Sequence, residues 1–256
     1  MICGLLGIAD SLHRRCVILS DDFAVWFADP MRSAMSARKA HAAVCELTEI
    51  FADAIRAHSH SGAQDLMRLM IDIAREDSAI TPEVLNAQCV LLLMAGHETT
   101  RNLIGNGVYL TLQHTKGFAD ALGDESLVRS TVEEVLRFES PIQTFGSTTT
   151  RDFDYSGIQI PAGDSLYFMV GAANRDPAQF ANPDSFEPTR PHNRHVAFGA
   201  DAHVCLGSTL ARLEGQIALR GVARRFPRLE LLIEQPEWRP GFRLRALRSL
   251  PVNLNE

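Results

Sequence analysis

Phe198-Gly199-Ala200-Asp201-Ala202-His203-Val204-Cys205-Leu206-Gly207, continued by Ser208-Thr209-Leu210-Ala211-Arg212-Leu213-Glu214, decides how the rest of the chain is read. A loop of mostly small residues delivers one cysteine directly ahead of an amphipathic helical pattern. The first turn of a helix presents unpaired backbone N–H groups and a partial positive charge. Both favour the thiolate over the thiol, and the thiolate is the form that binds metals. The stretch therefore offers an anionic sulfur, steadied by backbone amides, to an electrophilic partner.

The bulk numbers set the frame around that loop. The chain has 256 residues, 46% hydrophobic and 22% charged, with a formal net charge of −6. This balance suits a globular protein with a substantial core. No basic patch or arginine-rich run stands out, so no nucleic-acid partner is expected. Five cysteines (Cys3, Cys16, Cys45, Cys89, Cys205) make an odd count without a C-x-x-C pair. Neither a disulfide framework nor a structural zinc site is expected from that pattern, and a reducing cytoplasm fits it. The apolar start, Met1 to Ile8, lacks the length and the basic residues of a signal peptide. The longest apolar run, Cys89 to Gly96, is far short of the ~20 residues that span a bilayer, so no membrane partner is expected.

Working backwards from the loop, the front of the chain reads as helical. Residues 1–8 resemble the end of a buried helix. Arg14 to Phe27 carries apolar residues dense enough for an amphipathic helix, stopped at Asp29-Pro30. Met31 to His60 is a longer helical stretch closed by Ser59-His60-Ser61-Gly62, and Asp65 to Arg75 a shorter one. Thr81-Pro82-Glu83 combines an N-cap hydroxyl, proline at the first helical position and an acid in the first turn. The apolar pattern then runs on to about residue 114. That predicts a central helix over 81–114, roughly 45 Å long. Ala95-Gly96-His97-Glu98-Thr99-Thr100 sits in its middle against helix propensity, and local rules fail most often where function intervenes. A further helix is expected from about Glu125 to Phe138, ending before Ser140-Pro141.

After Pro141 the character changes. Thr148 to Arg151, Tyr155, Ile158 to Ile160 and Ser165 to Val170 are β-prone runs separated by Gly157 and Pro161-Ala162-Gly163-Asp164, and read as hairpins. Ala172 to Arg190 is turn-rich and reads as irregular. A helix from Ser208 to about Phe226 follows the cysteine loop, with short strands at Leu229 to Ile233 and Leu250 to Leu254. The predicted fold class is mainly α with small β-sheets. Its helical part is 1–140, and 141–256 holds the β-rich part, the irregular segment, the cysteine loop and its helix.

Each candidate has an ordinary reading beside the functional one. A buried cysteine is usually a small core hydrophobe. Glu134 with Arg137, three apart on a helix, is usually a solvated pair worth ~0.2–0.5 kcal/mol. Thr99 could simply bond back to a carbonyl one turn earlier. His97-Glu98 starts a zinc-protease motif, but H-E-x-x-H needs histidine where Arg101 stands, so that reading fails. A cysteine–histidine hydrolase has no local signature around Cys205 and leaves the Glu98-Thr99 helix unused.

The order of the motifs is more specific than any one of them. Ala95-Gly96-His97-Glu98-Thr99-Thr100, Glu134 to Arg137 as E-x-x-R, Ala173-Asn174-Arg175-Asp176-Pro177, and the cysteine loop with Leu210-Ala211-Arg212 follow one another along the chain. In that order they resemble the cytochrome P450 family of haem-thiolate monooxygenases, of the bacterial soluble type. The resemblance implies haem b as cofactor, with Cys205 as the axial ligand of its iron. It implies that Phe198 packs near that sulfur and that His203 stands where the family keeps a propionate partner. Ala95 and Gly96 would leave space over the iron, and Glu98 and Thr99 would deliver protons to oxygen. Glu134, Arg137 and Arg190 would form a buried structural ion network. The implied activity is O2-dependent oxidation of a small apolar substrate, with electrons from a ferredoxin or flavoprotein partner.

Departures from the family pattern shape two further expectations. The chain matches the C-terminal part of the fold, about two thirds, as a single partial domain over 1–256 truncated at its N-terminus. Ser147 stands where the family has a propionate-binding arginine, with Arg151 out of register nearby. Asp201 stands where it has glycine, adding negative charge beside the thiolate. The alternative reading is a truncated, non-catalytic remnant with weak or no haem binding.

Overall fold

The computed structural model describes residues 1–29, 33–59 and 65–254. Pro30, Met31 and His60 to Gly62, expected as helix ends, lie outside the described residues. Two compact units are resolved, Met1–Thr99 and Thr100–Glu256.

The first unit is helical. It comprises α1 (Ile2–Leu5), α2 (Asp10–Ala28), α3 (Ala34–Ser59), α4 (Leu66–Glu76) and the first part of α5 (Pro82–His114). α4 and α5 start where a side chain supplies an acceptor for an orphan N–H group. Asp65 caps α4, its Oδ1 accepting from Arg68 N (2.9 Å), and Thr81 Oγ1 accepts from Val84 N (3.3 Å) at the head of α5. α2 packs along α3, and α3 along α4. The core joins Leu6, Leu47, Phe51, Met67, Cys89 and Leu93, all essentially inaccessible to solvent. Leu6 follows α1, the other five come from α3, α4 and α5, and Cys3 of α1 with Cys16 and Leu19 of α2 complete the cluster.

The second unit continues α5 and adds α6 (Phe118–Ala121), α7 (Glu125–Phe138), strands β1 (Thr144–Thr148), β2 (Phe153–Tyr155), β3 (Ile158–Ile160) and β4 (Ser165–Met169), then α8 (Val170–Ala173), α9 (Ser208–Arg225), β5 (Glu230–Leu231) and β6 (Val252–Asn253). Asp124 caps α7 by accepting from Leu127 N at 2.9 Å. All three sheets are antiparallel pairs: β1 with β4, β2 with β3 nested inside that hairpin, and β5 with β6. The mainly α fold with small sheets is thus the one its sequence predicts.

Two local expectations need correction. The strand expected over Thr148 to Arg151 begins earlier, at Thr144, and stops at Thr148. Thr149 turns the chain instead, its hydroxyl donating to Pro161 O (2.6 Å) and its N–H to Asp164 O (2.9 Å). Val170, expected to end a strand, begins the single turn α8, whose last carbonyl-side residue leads directly to Asn174. Residues 174–200 contain no helix or strand, in keeping with the irregular reading.

The core of this unit packs α7 and α9 against α5. Leu103 and Leu110 meet Val128, Val132 and Val135, with Leu219 and Ala223 on the facing side of α9. Close approach depends on glycine: a Cβ at Gly215 would lie 3.2 Å from Leu103 Cδ2 and 3.5 Å from both methyls of Val132. Removing bulk there sets α9, and so the loop that feeds it, close to α7.

Candidate functional site

The cysteine loop is closed by backbone. Cys205 N–H donates to Phe198 O (2.9 Å), Val204 N–H to Asp201 O (3.1 Å), and Ser208 N–H to Cys205 O (3.2 Å) as α9 begins. Closing so tight a loop requires left-handed backbone at two places, Gly199 (φ 72°) and Asp201 (φ 55°). Aspartate is among the few non-glycine residues that adopt this conformation without large penalty. His203 ends the one-turn 3-10 helix Asp201–His203 and is exposed. Cys205 is exposed too, and Leu206 beside it is 90% exposed. Cys205 thus stands just ahead of α9, accessible to solvent.

Behind the loop lies a buried ionic core. Glu134 and Arg137 are wholly inaccessible, and Arg137 uses all five of its donors. Nε and Nη2 pair with the two Glu134 carboxylate oxygens (2.8 and 2.7 Å). The remaining N–H groups donate to the carbonyls of Asn174 (2.9 Å), Pro183 (2.8 Å) and Ser185 (2.9 Å). Glu134 also accepts from Glu187 N (2.8 Å), Asn193 Nδ2 (3.0 Å) and Arg190 Nε (3.3 Å to each oxygen). Sequence-distant Arg190 is therefore brought to the Glu134–Arg137 pair. Asn174, also wholly buried, donates from Nδ2 to Ser140 Oγ (2.9 Å) and accepts on Oδ1 from Val196 N (2.8 Å). The irregular segment is thereby tied to α7 through Arg137 and Glu134.

Sequence reasoning missed a second network around Glu133. Its carboxylate accepts from Arg212 Nε (2.7 Å) and Nη2 (3.0 Å) and from His195 Nε2 (3.0 Å). Burial pushes this carboxyl up, but the hydrogen bonds from His195 and Arg212 and the Arg212 charge overcome it and hold it down to about 2. The available signal was the Leu-Ala-Arg motif of α9, which names Arg212 without saying what it meets.

In the first unit, the middle of α5 holds the other candidates. Thr99 Oγ1 donates to Ala95 O at 2.7 Å, the back-bond to the preceding turn. Glu98 is buried, at 4% exposure, whereas Ala95 is exposed. The space left by the missing side chain of Gly96 is taken up by Ile2: a Cβ there would lie 3.1 Å from Ile2 Cγ1. Ser20 Oγ lies 3.3 Å from His97 Nδ1, and the donor atoms of Asp21, His97 and Glu98 lie within 4.8 Å of one another. Ser147, on β1 opposite Leu166, is exposed. Arg151 is exposed as well, beyond the end of that strand.

Comparison with known proteins follows the same lines. Residues 119–240 match the family described as "Cytochrome P450". The "Biotin biosynthesis cytochrome P450" of Bacillus subtilis is 43% identical over 202 residues, covering 79% of this chain and 51% of that protein. The "6-deoxyerythronolide B hydroxylase" of Saccharopolyspora erythraea is 33% identical, covering 100% of this chain and 62% of the other. The solved structure of the Bacillus subtilis "Bacillaene Polyketide Synthase (PKS) Cytochrome P450 PksS" superposes with a TM-score of 0.90 at 33% identity, covering 100% of this chain and 65% of that one. The chain therefore spans between half and two thirds of these relatives, and fold and sequence agree over that span. A mainly helical fold with small sheets is the class they share. The chain belongs to the cytochrome P450 family, whose members bind haem b. Among the described residues, no helix is long and apolar enough to cross a membrane.

Proposed function

We propose that residues 1–256 form a partial domain of a haem-thiolate monooxygenase, with Cys205 as the axial ligand of haem iron. The observation that carries this reading is the exposed Cys205, just ahead of α9, on a loop whose backbone is closed by the Cys205–Phe198 hydrogen bond. The donor set fits the group. The only cluster of three His, Cys, Asp or Glu donors among the described residues is Asp21, His97 and Glu98, and Cys205 is not in it. A metal held by Cys205 must therefore bring its other ligands with it, as iron in a porphyrin does. Bound there, haem supplies O2 chemistry, with the thiolate pushing electron density to favour O–O cleavage.

The chain's own residues then take separate tasks. Phe198 packs near the sulfur. His203 pairs with a propionate, and Ala95 and Gly96 keep the middle of α5 slim. Glu98 and Thr99 deliver protons towards oxygen, and Thr99 Oγ1 must first release Ala95 O to take part. Glu134, Arg137 and Arg190 hold the segment leading to the loop and touch no reactant. The substrate is small and apolar, the electrons come from a ferredoxin or flavoprotein, and the setting is cytoplasmic. No observation favours a non-catalytic remnant.

Expression of the full chain with haem supplied tests the reading. Reduced protein under carbon monoxide should show the red-shifted Soret band of thiolate-ligated haem, and Cys205→Ser should lose it. Equal haem retention by wild type and Cys205→Ser, with no such band in either, sinks the proposal.

A further inference from the structure

Glu133 and Glu134 are neighbours in sequence, yet α7 turns them to different faces. Glu134 enters the buried ion core, and Glu133 faces the cysteine loop through three linked contacts. Its two oxygens grip the Nε and Nη2 edge of Arg212 at 2.7 and 3.0 Å. Such a two-point contact fixes the plane of the guanidinium as well as its position. The face of that plane lies over the Phe198 ring, 4.5 Å from its centre. Phe198 in turn supplies the carbonyl that accepts from Cys205 N–H at 2.9 Å.

His195 completes the arrangement from the other side. Its Nδ1 accepts from Ala197 N–H at 3.3 Å, which assigns the ring proton to Nε2, and Nε2–H donates to Glu133 Oε2 at 3.0 Å. The imidazole is 2% exposed and its ring centre lies 6.0 Å from that of Phe198. His195 and Arg212 thus reach one carboxylate from opposite ends of the stretch that carries Phe198. That stretch has left-handed backbone at Gly199 and Asp201 and little regular structure to hold it.

We infer that Glu133, His195 and Arg212 form a clamp that positions the Phe198 ring and, through the Phe198 carbonyl, the backbone of Cys205. Glu133 is a positioning residue in this scheme: it acts on the sulfur only through Arg212 and Phe198. The consequence for ligation rests on the reading of Cys205 as the haem ligand; the clamp itself does not.

Two variants of the full chain separate the clamp from general stability. Glu133→Gln removes the carboxylate charge and loosens the grip on Arg212. Arg212→Lys keeps the cationic charge and gives up the planar fork, and so covers the case in which Glu133→Gln folds poorly. Amide hydrogen exchange, read residue by residue, should show Cys205 N–H exchanging about tenfold faster in both variants, with the core amides of Val132 and Leu219 changed less than about twofold. An unchanged Cys205 amide, or an equal rise at Cys205, Val132 and Leu219, overturns the clamp. In haem-loaded protein the same variants should shift absorbance from the thiolate-type carbon monoxide band to the shorter-wavelength band of haem lacking thiolate ligation. Absence of the thiolate-type band from the wild-type chain counts against the haem reading alone, because the amide measurement decides the clamp with or without haem.

Discussion

Glu134 and Arg137 lie three residues apart on α7, wholly buried, and meet through two parallel hydrogen bonds of 2.8 and 2.7 Å. Removal of one partner leaves the other charged, desolvated and facing acceptors or donors arranged for the pair. Arg137→Ala or Glu134→Ala should therefore destabilise the chain by about 3–5 kcal/mol. Urea unfolding followed by circular dichroism checks this. A midpoint unchanged from wild type would contradict the assignment of this pair to the structural core.

Asp201 combines two effects that substitution can separate. Its φ of 55° carries a backbone penalty that glycine avoids, and its carboxylate adds negative charge to the loop that bears Cys205. Asp201→Asn keeps a residue tolerant of left-handed backbone and removes the charge. If charge dominates, Asp201→Asn and Asp201→Gly should both slow haem loss to an excess of apo-globin. If backbone dominates, only Asp201→Gly should. Faster loss from both variants would refute the idea that Asp201 weakens haem binding.

Thr99→Ala removes a hydroxyl whose acceptor in the structure is the carbonyl of Ala95. Such back-bonds add little to a helix, so stability should change by less than about 1 kcal/mol. With a reductase system present, more of the electrons consumed should leave as peroxide, because proton delivery is impaired. Peroxide released per reducing equivalent, measured beside thermal unfolding, separates the two roles. A large stability loss with no change in peroxide yield would assign Thr99 to packing.

The Glu133 carboxyl gives an acid-side prediction with a definite sign. Burial raises its pKa, and the His195 and Arg212 contacts lower it further than burial raises it, to about 2 from an ordinary 4.5. A pKa lower in the folded than in the unfolded chain stabilises the fold fully above about pH 4.5. That contribution is lost as pH falls through about 2. Glu133→Gln should flatten this part of the stability–pH curve and leave the slope above about pH 5 unchanged. Parallel unfolding curves at pH about 5 and 3 for both proteins would reveal a difference, and identical slopes would exclude the contribution.

Much of this was legible in sequence because it is local. Thr81-Pro82-Glu83 starts α5 through a cap, and Ser140-Pro141 follows the end of α7 as a helix breaker, each with an effect that spans a few residues. The placement of Cys205 ahead of a helix was legible for the same reason. What sequence could not supply was partners at long range. Glu133 and Glu134 look alike as adjacent acids, and helical periodicity says only that they face different ways. Their partners stand 62 and 79 residues ahead for Glu133, and 53 to 59 for Glu134. Gly96 reads as room for a ligand, but Ile2 occupies the space beside it, a packing choice no local rule encodes. Val170 has the β-branched side chain of a strand residue, yet it begins a helical turn that ends at Asn174.

The three carbonyls held by Arg137 belong to residues 37 to 48 positions further along the chain. Residues 174–185 have no ladder of their own, and beyond short turns among neighbours it is Arg137 of α7 that holds their buried carbonyls. Contacts this distant in sequence carry a loop-closure cost that must be met before they are rewarded. As the chain leaves the ribosome, α7 emerges first and waits, and the segment behind it is drawn on afterwards. The cysteine loop emerges later still, and α9 with Arg212 after it, so the grip of Glu133 on Arg212 can form only once both have followed α7 out of the ribosome.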